Sequence, residues 1–180
     1  MVIDVFTLTA QSLVAHIHLQ AERVRAGLIA PEGVTVRLLL PSEEARLAYP
    51  KSASDDQDQR PLERLHDISR AHTASLRSSL LDLRSERLVS RVDVQVKRTP
   101  ITPAFKLYLL NGNTALHGLY VVVERPIELV GGEEVDAIDV LGLGATLFHY
   151  VKDEDEDSQG SLFVTTAQSW FDSHWNLLST

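Results

Sequence analysis

Ala104-Phe105-Lys106-Leu107-Tyr108-Leu109-Leu110, then Asn111-Gly112-Asn113-Thr114, then the run 115–129 with Gly118 inside it, is the stretch whose reading decides the fold. Both flanks are rich in β-formers, and the Asn-Gly pair supplies the positive φ that a tight hairpin turn requires. The stretch predicts two strands, 104–110 and 115–129, folded back on each other. Residues two apart on a strand share a face, so Ala104 and Lys106 point the same way. Lys106 then either holds an anion or is an ordinary surface lysine. Asn111 either shapes the turn or touches a ligand.

Upstream of the hairpin, residues 2–8 read as a strand, and an amphipathic helix opens at Ser12 with Leu13, Val14, Ile17, Ala21, Val24 and Leu28 at helical spacing. Ser12 is placed to cap that helix. Pro31-Glu32-Gly33 turns the chain into a second strand, 34–40, which Pro41-Ser42 closes. Strand, helix and strand in this order predict two parallel strands joined by a right-handed crossover. Residues 47–60, with Pro50 and several aspartates, read as a mobile surface loop. From Pro61, Leu62, Leu65, Ile68, His72, Leu76, Leu80, Leu83 and Leu88 recur every three to five positions, which predicts a helix of about seven turns that covers the sheet or pairs with a second copy. Val92, Val94 and Val96 alternate with Asp93, Gln95 and Lys97, so one face of that strand is polar.

Downstream, Gly131-Gly132 marks a turn, and 135–140 and 145–151 read as strands separated by Gly142-Leu143-Gly144. The acidic run 153–157 reads as a solvated loop ahead of a final helix, 161–178. Its apolar residues, including Phe163, Trp170, Phe171 and Trp175, wrap too far around for a single contact face. That helix is expected deep in the core or in a subunit interface.

Composition narrows the function classes. The 180 residues, 44% hydrophobic and 23% charged, suit one soluble domain. No cysteine is present, which excludes disulfides, thiolate metal sites and cysteine nucleophiles. A formal charge of −8 argues against this segment gripping a phosphate backbone alone. Met1-Val2-Ile3-Asp4-Val5-Phe6 already reads as a buried strand, so the chain is expected to be a fragment whose upstream portion is missing. No nucleotide cofactor is expected, because Gly-rich fingerprints are lacking. His16 and His18 diverge on a helix, and His66 and His72 are poorly spaced, so no metal site is expected.

The spacing of Ala104, Lys106, Asn111 and Gly118 resembles the H-x-K-x4-D-x6-G-S pattern of the phospholipase D superfamily. Lys106 stands at the lysine, Asn111 at the aspartate and Gly118 at the glycine, while Ala104 replaces the nucleophilic histidine and Leu119 the serine. The resemblance implies a catalytically degenerate phospholipase D-like half, an α/β fold with a mixed sheet flanked by helices on both faces. Two such halves meet around one cleft in that superfamily, which implies a homodimer. Ends of the first two strands would face the cleft, nominating Thr7, Thr9, Gln11 and Ser42 beside Lys106, Asn111 and His117 as ligand-binding residues.

Stretches 111–120, 139–148 and 170–175 further resemble the C-terminal domains of actinobacterial helix-turn-helix (GntR-like) transcription regulators. This implies a single cytoplasmic, non-catalytic effector-binding and dimerisation domain over 1–180, with a small-molecule effector, anionic if Lys106 holds it, and DNA contacted only through an upstream domain. The competing expectations are a working phosphodiesterase with His117 as replacement nucleophile, and a purely structural dimerisation module.

Overall fold

A computed structural model describes residues 1–142 and 145–180. Leu143 and Gly144, expected as part of a Gly-rich link, lie outside the described residues. The elements run β1 (Val2–Phe6), α1 (Gln11–Arg25), β2 (Gly33–Pro41), β3 (Lys51–Ser52), α2 (Arg60–Ser85), β4 (Arg91–Thr99), β5 (Phe105–Leu110), β6 (Thr114–Leu119), β7 (Val122–Glu128), β8 (Glu134–Val140), β9 (Phe148–Val151) and α3 (Gln159–Leu177). Six strands form one mixed sheet in the order β4-β2-β1-β5-β6-β9. β4, β2 and β1 are mutually parallel, and β5, β6 and β9 continue antiparallel.

Burial on both faces explains the near-continuous apolar run of β2, whose Val34, Val36, Leu38, Leu39 and Leu40 are all buried. One face, carrying Ile3, Val5, Val36 and Leu38, packs under α1 and α2. Those helices present the stripes Leu13, Val14, Ile17, Ala21, Val24 and Leu76, Leu80, Leu83. The opposite face, carrying Phe6, Leu39, Leu107 and Leu109, packs under α3 through Val164, Phe171 and Trp175. Helices therefore cover both faces, as an α/β fold with a mixed sheet requires.

Several local expectations are corrected. Residues 115–129 form two strands in two sheets, because Tyr120 is drawn inward where its hydroxyl meets Thr7 Oγ1 at 2.9 Å and accepts from Leu8 N at 3.1 Å. The chain then leaves the large sheet and builds a second, three-stranded sheet, β3-β8-β7. Within 47–60, expected as a mobile loop, Leu47 and Tyr49 are buried and Lys51–Ser52 pairs with β8. Ser12 does not cap α1: the helix starts at Gln11 after Ala10, with no side-chain cap. Ser158 does cap α3, accepting from Ser161 N at 3.2 Å.

Two glycines mark close approaches. A Cβ at Gly160 would lie 2.2 Å from Val151 O, so only glycine lets the start of α3 settle on β9. A Cβ at Gly118 would lie 2.9 Å from both Thr146 O and Leu147 Cδ2, so the segment entering β9 crosses directly over this residue. The glycine shared with the degenerate motif thus has a packing role here.

Candidate functional site

At the carboxyl end of β1 the chain passes through Leu8, Thr9 and Ala10 into α1, and a cavity of about 250 Å³ opens beside that turn. Three parts of the fold wall it. The turn supplies Leu8, Thr9 and Gln11, α2 supplies Arg64, Leu65 and Ile68, and the small sheet supplies Arg125, Asp139 and Val140. Tyr120, at the crossing between the two sheets, and Gly142 complete the lining. The site lies outside the carboxyl end of a parallel strand, where open α/β sheets place ligands.

Charged groups in the lining are held in defined positions. Arg125 Nη2 donates to Asp139 Oδ2 at 2.5 Å, with Asp139 buried. Arg125 Nε is buried and has no acceptor among the described residues. Arg64 Nε donates to Glu128 O at 2.6 Å, tying α2 to the end of β7. Two guanidiniums face one carboxylate in a chain of net charge −8, so the cleft is a local reversal of sign. Burial raises the Tyr120 hydroxyl above its usual pKa, with bonds from Leu8 and to Thr7 opposing the shift, so it is a neutral hydrogen-bonding group at physiological pH.

Of the residues nominated from sequence, Thr9 and Gln11 line the cleft. Thr7 lies beneath it: its hydroxyl donates to Thr9 O at 2.9 Å and meets Tyr120, so it fixes the floor. Lys106 is 3% exposed, which overturns the surface-lysine reading. Its ammonium donates to Gly142 O at 2.6 Å and braces a lining residue from behind, while desolvation lowers its pKa.

Ser42, Asn111 and His117 are elsewhere. Ser42 pairs its amide with Thr99 O at 2.8 Å and accepts from Glu44 N at 3.2 Å, closing the β2 end locally. Asn111 sits at the opposite end of the sheet, because β5 runs antiparallel to β1. With φ 53° it makes the hairpin turn, and its Oδ1 accepts from Val2 N at 2.8 Å. His117 pairs with Leu107 in the sheet and therefore shares the α3 face, one residue out of phase with Lys106, which pairs with Gly118. Its ring lies 5.1 Å from Phe105 and 5.6 Å from Phe163, and burial lowers its pKa.

Arg64, Tyr120, Arg125 and Asp139 were not nominated. Asp139 carried a usable signal, a carboxylate inside the apolar run Ala137-Ile138-Asp139-Val140-Leu141. Arg125 and Arg64 carried none, since their convergence depends on a second sheet that no periodicity announces. Among the described residues no group of three or more His, Asp or Glu side chains is arranged to hold a metal, and no helix is long and apolar enough to cross a membrane. Comparison of the chain with family models, with curated proteins and with solved structures found no match.

Proposed function

We propose that the chain is a non-catalytic effector-binding and dimerisation domain of a cytoplasmic bacterial transcription regulator, with the cleft at the end of β1 as its effector site. The observation that carries the reading is the composition of that cleft: two guanidiniums, neutral donors and acceptors on Thr9, Gln11 and Tyr120, and apolar walls from α2 and β8. A few placed polar groups in an apolar concavity are what small-molecule recognition needs. Regulation and the DNA-binding partner rest on the sequence resemblance, with DNA held by an upstream domain.

A non-catalytic role fits the chemistry at the degenerate motif. Ala104 offers no nucleophile, and His117 and Lys106 project from opposite faces of the sheet, so they do not converge on one reacting atom. An effector in the cleft would bridge the β1 turn, α2 and the small sheet. Exposed Leu119, Val121, Val122 and Leu141 adjoin this region, and Leu141 also lines the cleft, which gives a second copy an apolar seat beside the ligand. A ligand that favours one dimer geometry then shifts the spacing of attached DNA-binding heads.

Native mass spectrometry of the purified chain tests the reading. The expected result is a dimer that carries a retained small molecule or takes one up from an extract. Only monomer in sedimentation at micromolar concentration would remove the dimer. Turnover of a bis-phosphodiester that is lost in His117→Ala would replace the reading with an enzyme.

A further inference from the structure

We infer that the cleft takes a small monocarboxylate with an apolar body, its carboxylate held by Arg125 with Arg64 as the second cation; this rests on the effector-site reading above. Arg125 is only half used by the protein. One edge of its guanidinium is tied to Asp139 through Nη2, while Nε is buried without an acceptor among the described residues. Buried donors in folded proteins are almost always satisfied, and one left over in a cavity wall points to an acceptor brought by a ligand. A guanidinium is a rigid planar fork, and a carboxylate is the planar acceptor that matches it with two parallel hydrogen bonds.

Charge and size sharpen the class. Arg64 enters the same lining from α2, oriented by its bond to Glu128 O, so an anion entering the cleft meets two cations. Asp139 stands in the lining as well and repels a second negative charge, which favours a monoanion over a phosphomonoester carrying about −1.5 to −2. Away from the guanidiniums the walls are Leu65, Ile68, Val140 and Leu141, a surface for a hydrocarbon or aromatic body. The volume of about 250 Å³ falls below the roughly 300–1,000 Å³ of drug-sized sites, which suits a molecule the size of a simple aromatic acid.

Amide chemical-shift titration of the ¹⁵N-labelled chain with benzoate, benzamide and phenyl phosphate tests this. Benzoate is expected to perturb the amides of Leu8, Thr9, Leu65, Val140 and Gly142 and to bind at least about tenfold more tightly than benzamide, the scale of a charge-assisted hydrogen bond. Arg125→Gln is expected to weaken benzoate about ten- to a hundred-fold. Because that variant also strips Asp139 of its partner, Arg125→Lys and Arg64→Gln serve beside it: the first keeps a cation against Asp139 but loses the fork, and both are expected to weaken benzoate in a chain whose spectrum stays dispersed. Equal binding of benzoate and benzamide at the cleft, or tighter binding of phenyl phosphate, overturns the carboxylate and leaves the effector site standing. Perturbations that map away from the cleft for all three probes overturn both.

Discussion

Two arginine–aspartate pairs lie on opposite sides of this molecule, and they differ in how completely each is satisfied. Under α3, Arg37 Nε and Nη2 donate to the two oxygens of Asp4 at 2.7 and 2.5 Å, and Nη2 also meets Asp172 at 2.8 Å. Gln168 donates to Asp4 at 2.9 Å, and the guanidinium lies 5.0 Å from the Phe171 ring centroid. Both Nε and Nη2 of that arginine are bonded within the fold. In the cleft, Arg125 holds Asp139 with one nitrogen and leaves Nε without an acceptor among the described residues. The first pair fastens α3 to the sheet; the second leaves one nitrogen of a cavity-lining guanidinium unpartnered among the described residues. Pairing alone does not separate a structural ion pair from a recognition site, but unspent hydrogen-bonding capacity does.

The contrast is broken most directly by removing each arginine. Arg37→Met leaves Asp4, whose side chain is 4% exposed, with only an amide partner, and should cost about 3–5 kcal/mol in urea unfolding. Arg125→Met should cost less, about 1–2 kcal/mol, between the values for exposed and buried pairs, because Arg125 is 38% exposed although Asp139 is buried. Equal losses would mean that both pairs are structural. A second test uses the glycines on the two sides. Gly160→Ala places a Cβ 2.2 Å from Val151 O and should lower stability by about 1–3 kcal/mol while leaving cleft amide shifts unchanged. Gly118→Ala meets its neighbours at 2.9 Å, with Lys106 Cε at 3.4 Å, so it should shift the amide of Gly142 in the same spectrum.

The smallest effect expected is on pH dependence. Burial lowers the pKa of His117, on the α3 side, and of His66, on α2, from the ordinary 6.5. Between the folded values and 6.5 the unfolded chain binds more protons, so stability is full above 6.5 and falls as pH drops through that window. His117→Gln should remove its share of the slope, measured as midpoint against pH. A slope unchanged in that variant would assign the dependence to His66 and other groups.

Much of the large sheet was legible in the chain. Apolar runs gave β1 and β2, leucine spacing gave α2, and Asn111-Gly112 gave the hairpin, all of which are local patterns. The small sheet was not, since Glu124-Arg125-Pro126 and the two-residue β3 carry weak β signals and are held by pairing with β8. The site suffered for the same reason. Thr9 and Gln11 follow from topology, because the end of a parallel strand is a recurrent place for ligands. Asn111 makes the turn, one of its two readings, while strand direction and face, which spacing does not carry, put it at the far end of the sheet from the cleft and His117 under α3. Lys106, read either as a cleft cation or as a surface lysine, is instead buried and bonded to Gly142 O.

The strand order also bears on how the chain is made. β1 is first in sequence yet sits in the interior of the sheet, between β2 and β5. As the polypeptide leaves the ribosome, β1, α1, β2, α2 and β4 can assemble as a parallel unit covered on one face. Until β5 and α3 arrive, that nascent unit bears the free hydrogen-bonding edge of β1 and an uncovered surface containing Phe6 and Leu39. A stalled or truncated product ending near residue 100 would therefore be prone to aggregate and a ready client for chaperones, even though its parallel half is already built.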